Sequence, residues 1–445
     1  NANIKLDNAH DLTQLKTIND ATTGAITFND NTVKLSGSVA DVGAALAGIT
    51  GYAGVVEITD NGSDISATAV TAIANALTLK AAKPNITNTP NIKGNAADIV
   101  TALSKITNTG NANIKLDDAH DLSKLKTIND ATSGIISLGS DTVALEGDES
   151  VITAALDGIT GYKGTITLAN DVSETVQASA ITALANKTNQ TTTIKTKFKV
   201  EGDSADVVTA LGKVTNTGGA NIKLKDAHDV VQLRDINNKT TGGIEFFKND
   251  VALNSDIVTL REALAGVTGY AGTVEITDTS GNVIATQVVA LADAMTGNKP
   301  SFARTGTPII KGRSAEVVSA FQKGNNLGAA AAHLAFGDHT ASQLAIINDA
   351  TPGGIILSNR SRALSDSGSV LKRALDGITY TGLIEVSGND YTTAELKAIN
   401  ASTREKITLV DKTVKISGSA ADLKDALHGD GNAKNSIDGF TGNID

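Results

Sequence analysis

Four histidines, His10, His120, His228 and His339, stand at one position of a stretch that recurs along the chain. An imidazole can act as acid, base or metal ligand near neutral pH. Nucleophilic catalysis also needs a partner at a fixed distance. These four lie about one repeat apart, and an active site does not need four copies along a rod, so a structural or solvent-exposed role is the expectation. Carboxylates form a second pattern: Asp7 and Asp11, Asp60 and Asp64, and Asp117 and Asp121 are pairs four residues apart, mostly flanked by Asn or Asp. Clustered hard oxygens are what Ca²⁺ takes, which makes these six the candidate calcium ligands. Their spacing fits neither the EF-hand loop nor the calcium-binding nonapeptide. Asp and Asn in such places also cap helices and close turns.

The elements that must hold these residues come from repetition. "NANIKLDNAHDLTQLKTINDATTG" (1–24) returns as "NANIKLDDAHDLSKLKTINDATSG" (111–134), then from Ala220, and in a worn form from Gly337. A shorter motif, "VKLSGSVADVGAALAGIT" (33–50), has eight versions, ending with "VKISGSAADLKDALHG" (414–429). Alternate versions resemble each other most. The chain therefore reads as four two-unit cassettes: 1–109 (units 1–53 and 54–109), 110–218, 219–327, and 328–445, the last eroded and carrying an insertion near 429–439.

Each unit of about 54 residues reads as β-α-β-β-α. The first helix is "DLTQLKTIN", with Asp11 as cap and Gln14 completing a capping box. "GAITFNDNTVKL" reads as a β-hairpin around Asn-Asp-Asn. The second helix sets Val42, Ala45, Leu46 and Ile49 on one stripe, with Ser38 as cap and Asp41 in the first turn. A Gly-Tyr-x-Gly turn follows at Gly51, Gly161 and Gly269, with Phe440 as the aromatic near the end. Such a unit buries too little alone, and stacked neighbours would share a core. The fold class expected is α/β, a two-layer tandem array with helices on one face of short mixed sheets, built as a solenoid or as closely docked small domains.

Composition limits function. Of 445 residues 40% are hydrophobic and 19% charged, a globular balance. Only 3% are aromatic, so Ala, Val, Ile and Leu must fill the core. No cysteine is present, which excludes disulfides, thiolate metal sites and a Cys nucleophile. Net charge is −10 with no basic block, which argues against nucleic acid as a partner. No apolar run approaches the roughly 18 residues of a membrane span, so no membrane insertion is expected. The chain opens on Asn1 within a repeat, without a signal-like start, and reads as a piece of something longer. Phosphate loops, paired-His helices and Gly-x-Ser-x-Gly elbows are absent from the sequence, and an enzyme is not expected. Threonine-rich stretches such as "NQTTTIKTK" (189–197) do not recur at every unit, which weakens glycan or ice binding.

The signature "LxxINDATTGxIxL…VxLxGSxADVxAALxGITGYxGxVxITD", run eight times, resembles tandem repeats of giant cell-surface and secreted proteins of bacteria, notably marine cyanobacteria, one of them associated with swimming without flagella. The resemblance spans essentially the whole chain and carries no catalytic residues. It implies an extracellular location, export without a cleaved classical signal, and a structural or adhesive role. The leading expectation is a filament, surface-layer or stalk segment that associates with itself or with neighbouring repeats of a longer chain. An adhesin gripping glycans and a phage or appendage fibre are the other readings.

Overall fold

A computed structural model of the chain describes residues 2–78, 83–109, 111–278, 280–303, 307–324, 327, 330–429, 436, 437 and 439–445. They fall into two compact units, Asn1–Lys223 with Thr240–Gly242, and Leu224–Lys239 with Gly243–Asp445.

Among the described residues of the first unit are the helices α1 (Leu12–Ala21), α2 (Val39–Ala45), α3 (Ala67–Ala76), α4 (Ala96–Ser104), α5 (Leu122–Ala131), α6 (Glu149–Ala155), α7 (Ala178–Ala185) and α8 (Ser204–Lys213). The second holds α9 (Val230–Lys239), α10 (Ile257–Ala263), α11 (Ala285–Ala294), α12 (Ser314–Lys323), α13 (Ala341–Ala350), α14 (Gly368–Leu375), α15 (Thr393–Ser402) and α16 (Ala420–His428). A helix begins every 25–29 residues, so the structural coil is half the unit read from the sequence. Within each compact unit every helix packs on its neighbours in sequence, giving one helical layer over short sheets. The two-layer α/β repeat is thus the observed fold.

The sheets differ from expectation in one respect. Residues 24–37 do not form a hairpin. Ile26–Phe28 pairs in parallel with Ile4–Leu6, and Leu35–Gly37 pairs in parallel with Val56–Ile58 in another sheet. The same holds near the end, where Ile407–Leu409 runs parallel to Ile384–Val386 and Ile416 bridges Ile444 in parallel. The ladders are therefore parallel and not mixed, because each strand pairs with the strand one coil away, across a helix. The Asn29–Asn31 loop looks like a turn because it is polar. Its amides instead tie other coils: Asn29 donates to Asp7 at 2.8 Å and Asn31 to the Gly51 carbonyl at 3.0 Å.

Strand side chains alternate as a half-buried sheet requires. In Val56–Ile58 the two outer residues are fully buried and Glu57 faces outward. Val42, Ala45, Leu46 and Ile49 complete the core as the stripe read from the sequence, although α2 ends at Ala45 and the turn after it carries Leu46 and Ile49. Each such Val, Leu or Ile contributes about 1.5–3 kcal/mol of burial free energy. The second unit has a thin core of the same kind, mostly Ala, Val, Ile and Leu, with Tyr270, Tyr380 and Tyr391 as its largest members. The insertion read near 429–439 lies mostly outside the described residues.

Candidate functional site

The recurring residues of the odd units meet in one arrangement. His10 directly precedes the capped start of α1, and its Nε2 is 3.0 Å from the Tyr52 hydroxyl. His228 and Tyr270 repeat this at 3.1 Å, and His339 and Tyr380 at 3.0 Å. Each of these hydroxyls also lies against a backbone carbonyl: Val33 at 2.7 Å, Val251 at 2.7 Å and Arg362 at 2.6 Å. A carbonyl only accepts, so the phenolic proton is committed to it. The hydroxyl oxygen is then the acceptor and Nε2–H must be the donor. That places a proton on Nε2, and because the buried Nδ1 has no partner to accept from a second N–H, the imidazole is neutral.

Burial lowers the pKa of all four histidines. Nearby carboxylates, such as Asp226 and Asp229 around His228, offset part of this. Burial also pushes the Tyr52 and Tyr380 phenols up to about 12. Both protons of the pair are engaged, the imidazole's on the phenol oxygen and the phenol's on a backbone carbonyl. In the second cassette the pair is broken, for His120 has no partner on either nitrogen, while Tyr162 still donates to the Val143 carbonyl. Phe28 and Phe246 pack edge-on against the tyrosines, with ring centroids 5.6 and 5.7 Å apart, and close two of the clusters.

The glycine of Gly-Tyr-x-Gly belongs to the same cluster. A Cβ on Gly54 would lie 2.0 Å from the Val33 carbonyl and 2.6 Å from the Tyr52 ring. Gly164, Gly272 and Gly382 repeat this relation, and Gly442 does so with Phe440. Close approach of the backbone, and not a special φ, is what demands glycine here.

The sequence reading passed over the asparagine of "IND". The Asn19 amide, on α1, donates to the carbonyls of Ala44, Ala45 and Ala47 at 2.9–3.0 Å and so closes the C-terminal end of α2. Asn129 does this for α6, Asn237 for α10, Asn348 for α14 and Asn400 for α16. The last carbonyls of a helix have no partners within it, and here the preceding helix supplies them. The threonine three residues on is a second tie: Thr22, Thr132, Thr240 and Thr351 donate to the carbonyls of Ala2, Ala112, Ala220 and Ala330. Recurrence of Ile-Asn at this place in every odd unit, as "IND" in three and "INN" (236–238) in one, was the available signal.

The eighth unit carries this odd-unit set in altered form. Asn400 clamps α16, Tyr391 stands where a histidine stands elsewhere and donates to the Asp411 carbonyl, and Phe440 replaces the tyrosine. Strict alternation of odd and even units ends there.

The six candidate calcium ligands have protein partners. Asp11 and Asp121 cap α1 and α5. Asp60 accepts from the Val39 backbone N–H at 2.7 Å, at the start of α2. Asp7 accepts from Asn29, and Asp64 from Lys115 at 2.6 Å and Asn91 at 2.9 Å. Asp117 pairs with Lys93 at 3.7 Å. Asp64 and Asp117 share a cleft of about 490 Å³, and Lys93 lines it with them. Among the described residues no group of three or more His, Asp or Glu side chains could hold a metal ion. Likewise, none of the described helices is long and apolar enough to cross a membrane.

Fold and recurring contacts define a class, a two-layer α/β tandem-repeat protein whose repeated polar residues bind coil to coil. No protein-family model matches the chain, and no curated protein matches it.

Proposed function

We propose that the chain is a structural segment of a large extracellular bacterial surface protein, in which stacked repeats build a filament, surface layer or stalk. One observation carries this reading: the residues repeated most strictly, His, Tyr, Asn, Thr and Gly of the odd units, spend their polar and steric capacity on the adjacent coil. A catalytic or ligand-binding protein needs its special residues once, facing substrate. A scaffold needs them once per repeat, facing itself. Its partners are neighbouring repeats of its own kind, and no enzymatic role is assigned.

Immunogold electron microscopy of the source cells tests this reading. The expected result is label on the cell exterior, on ordered filaments or a layer. Label confined to the cell interior would overturn it.

A further inference from the structure

Even units differ from odd ones where their first helix begins. Every odd-type first helix has a side-chain cap: Asp11 on α1, Asp121 on α5, Asp229 on α9, Thr340 on α13 and Thr392 on α15. The three even-unit counterparts, α3, α7 and α11, begin directly from a strand at Ser66, Gln177 and Ile284, and none of these residues makes a side-chain capping bond. An Ncap oxygen satisfies first-turn N–H groups that have no partner within the helix. The asparagine clamp, among the described residues, joins only odd-type pairs: a first helix gives it and the second receives it, on α2, α6, α10, α14 and α16.

Some backbone support remains at two of them. The Tyr52 N–H donates to the Ala76 carbonyl at the end of α3, and the Tyr270 N–H to that of Ala294 at the end of α11. No such bond joins Tyr162 to α7 among the described residues, where Thr188, just past the helix, donates to the Gly164 carbonyl at 2.7 Å instead. The α7 helix has eight residues where α3 and α11 have ten, and it packs on α6 less extensively than α5 does.

We infer that α3, α7 and α11 are built-in yield points, one in each of the first three cassettes, and that α7 opens first while the neighbouring odd units, with a capped first helix and a clamped second one, stay folded. Local opening free energy within one fold ranges from near zero to the global value, and it follows local ties of this kind. Under load, such an array lengthens one even unit at a time before any odd unit gives way. The inference concerns the energetics of the fold and stands apart from the proposed surface role.

Hydrogen exchange by mass spectrometry on the full chain, under native conditions, tests it. Amides of α7 are expected to exchange at least about tenfold faster than those of α5 and α6, with α3 and α11 between. Exchange of α7 as slow as that of α5 would overturn the inference. Asp121→Ala removes the cap of α5. It is expected to speed exchange of α5 about fivefold, the factor matching about 1 kcal/mol for a cap, and to leave α7 unchanged. No change in α5, or an equal change in α7, would also overturn it.

Discussion

The Nε2 of His228 lies 3.1 Å from the hydroxyl of Tyr270, whose proton goes to the Val251 carbonyl. A neutral imidazole suits this geometry. A charged one would add an N–H at Nδ1, which has no acceptor. The folded pKa is therefore below the unfolded value of about 6.5. As pH falls through about 6.5 the unfolded chain takes up protons that the folded chain refuses, so stability drops from there toward the folded pKa and is full above it. Urea unfolding midpoints should be level above about pH 7 and fall as the pH drops below about 6.5. His228→Gln should flatten that fall, and an unaltered slope in the variant would refute the assignment.

Loss of the phenol should matter unequally. Tyr270→Phe deprives both His228 and the Val251 carbonyl of a partner, whereas Tyr162→Phe deprives carbonyls alone, Val143 and at 3.3 Å Thr165, since His120 makes no bond to it. Each orphaned buried group costs about 1–3 kcal/mol. The Tyr270 variant should be the less stable by thermal unfolding, and equal losses would argue against the His–Tyr bond.

Two glycines give opposite expectations. Gly272→Ala would set a Cβ 2.0 Å from the Val251 carbonyl, a backbone atom that cannot swing aside, and should cost about 3 kcal/mol or more. Gly43 lies inside α2 with open space where a Cβ would go, so Gly43→Ala should gain about 0.5–1 kcal/mol. Circular dichroism melts of the two variants would separate them in sign.

Calcium should have little to bind at the acidic loops. Asp11, Asp60 and Asp121 are spent on helix starts, and Asp64 and Asp117 are paired with lysines. Melts in chelator and in millimolar Ca²⁺ should superimpose. A rise of several degrees with Ca²⁺ would return these carboxylates to the status of ligands.

Much of the fold was legible because apolar spacing and caps are local. Val42, Ala45, Leu46 and Ile49 lie on the buried stripe, and Asp11 with Gln14 forms the capping box. Strand pairing was not legible. Ile26 pairs with Ile4 and Leu35 with Val56, choices made by coil stacking, and a polar Asn-Asp-Asn loop imitates a hairpin turn. At the site, the repeated histidine stood out by its chemistry while Asn19 did not. Its role depends on carbonyls 25–28 residues downstream, which only the packing of α1 on α2 brings near. The acidic pairs looked like ligands because capping and cation binding use the same oxygens.

The account rests on repeated polar residues holding coil to coil, and the asparagine clamp states this most plainly. Asn237 donates to the carbonyls of Glu262, Ala263 and Ala265 at the end of α10. Hydrogen exchange across α9 and α10 in Asn237→Ala is the most direct test. Loss of the clamp should speed exchange of α10 by about tenfold or more, the equivalent of about 1–3 kcal/mol, while α13 and α14 keep their rates. Exchange of α10 unchanged from the parent chain would contradict the claim that these residues are there to bind one repeat to the next.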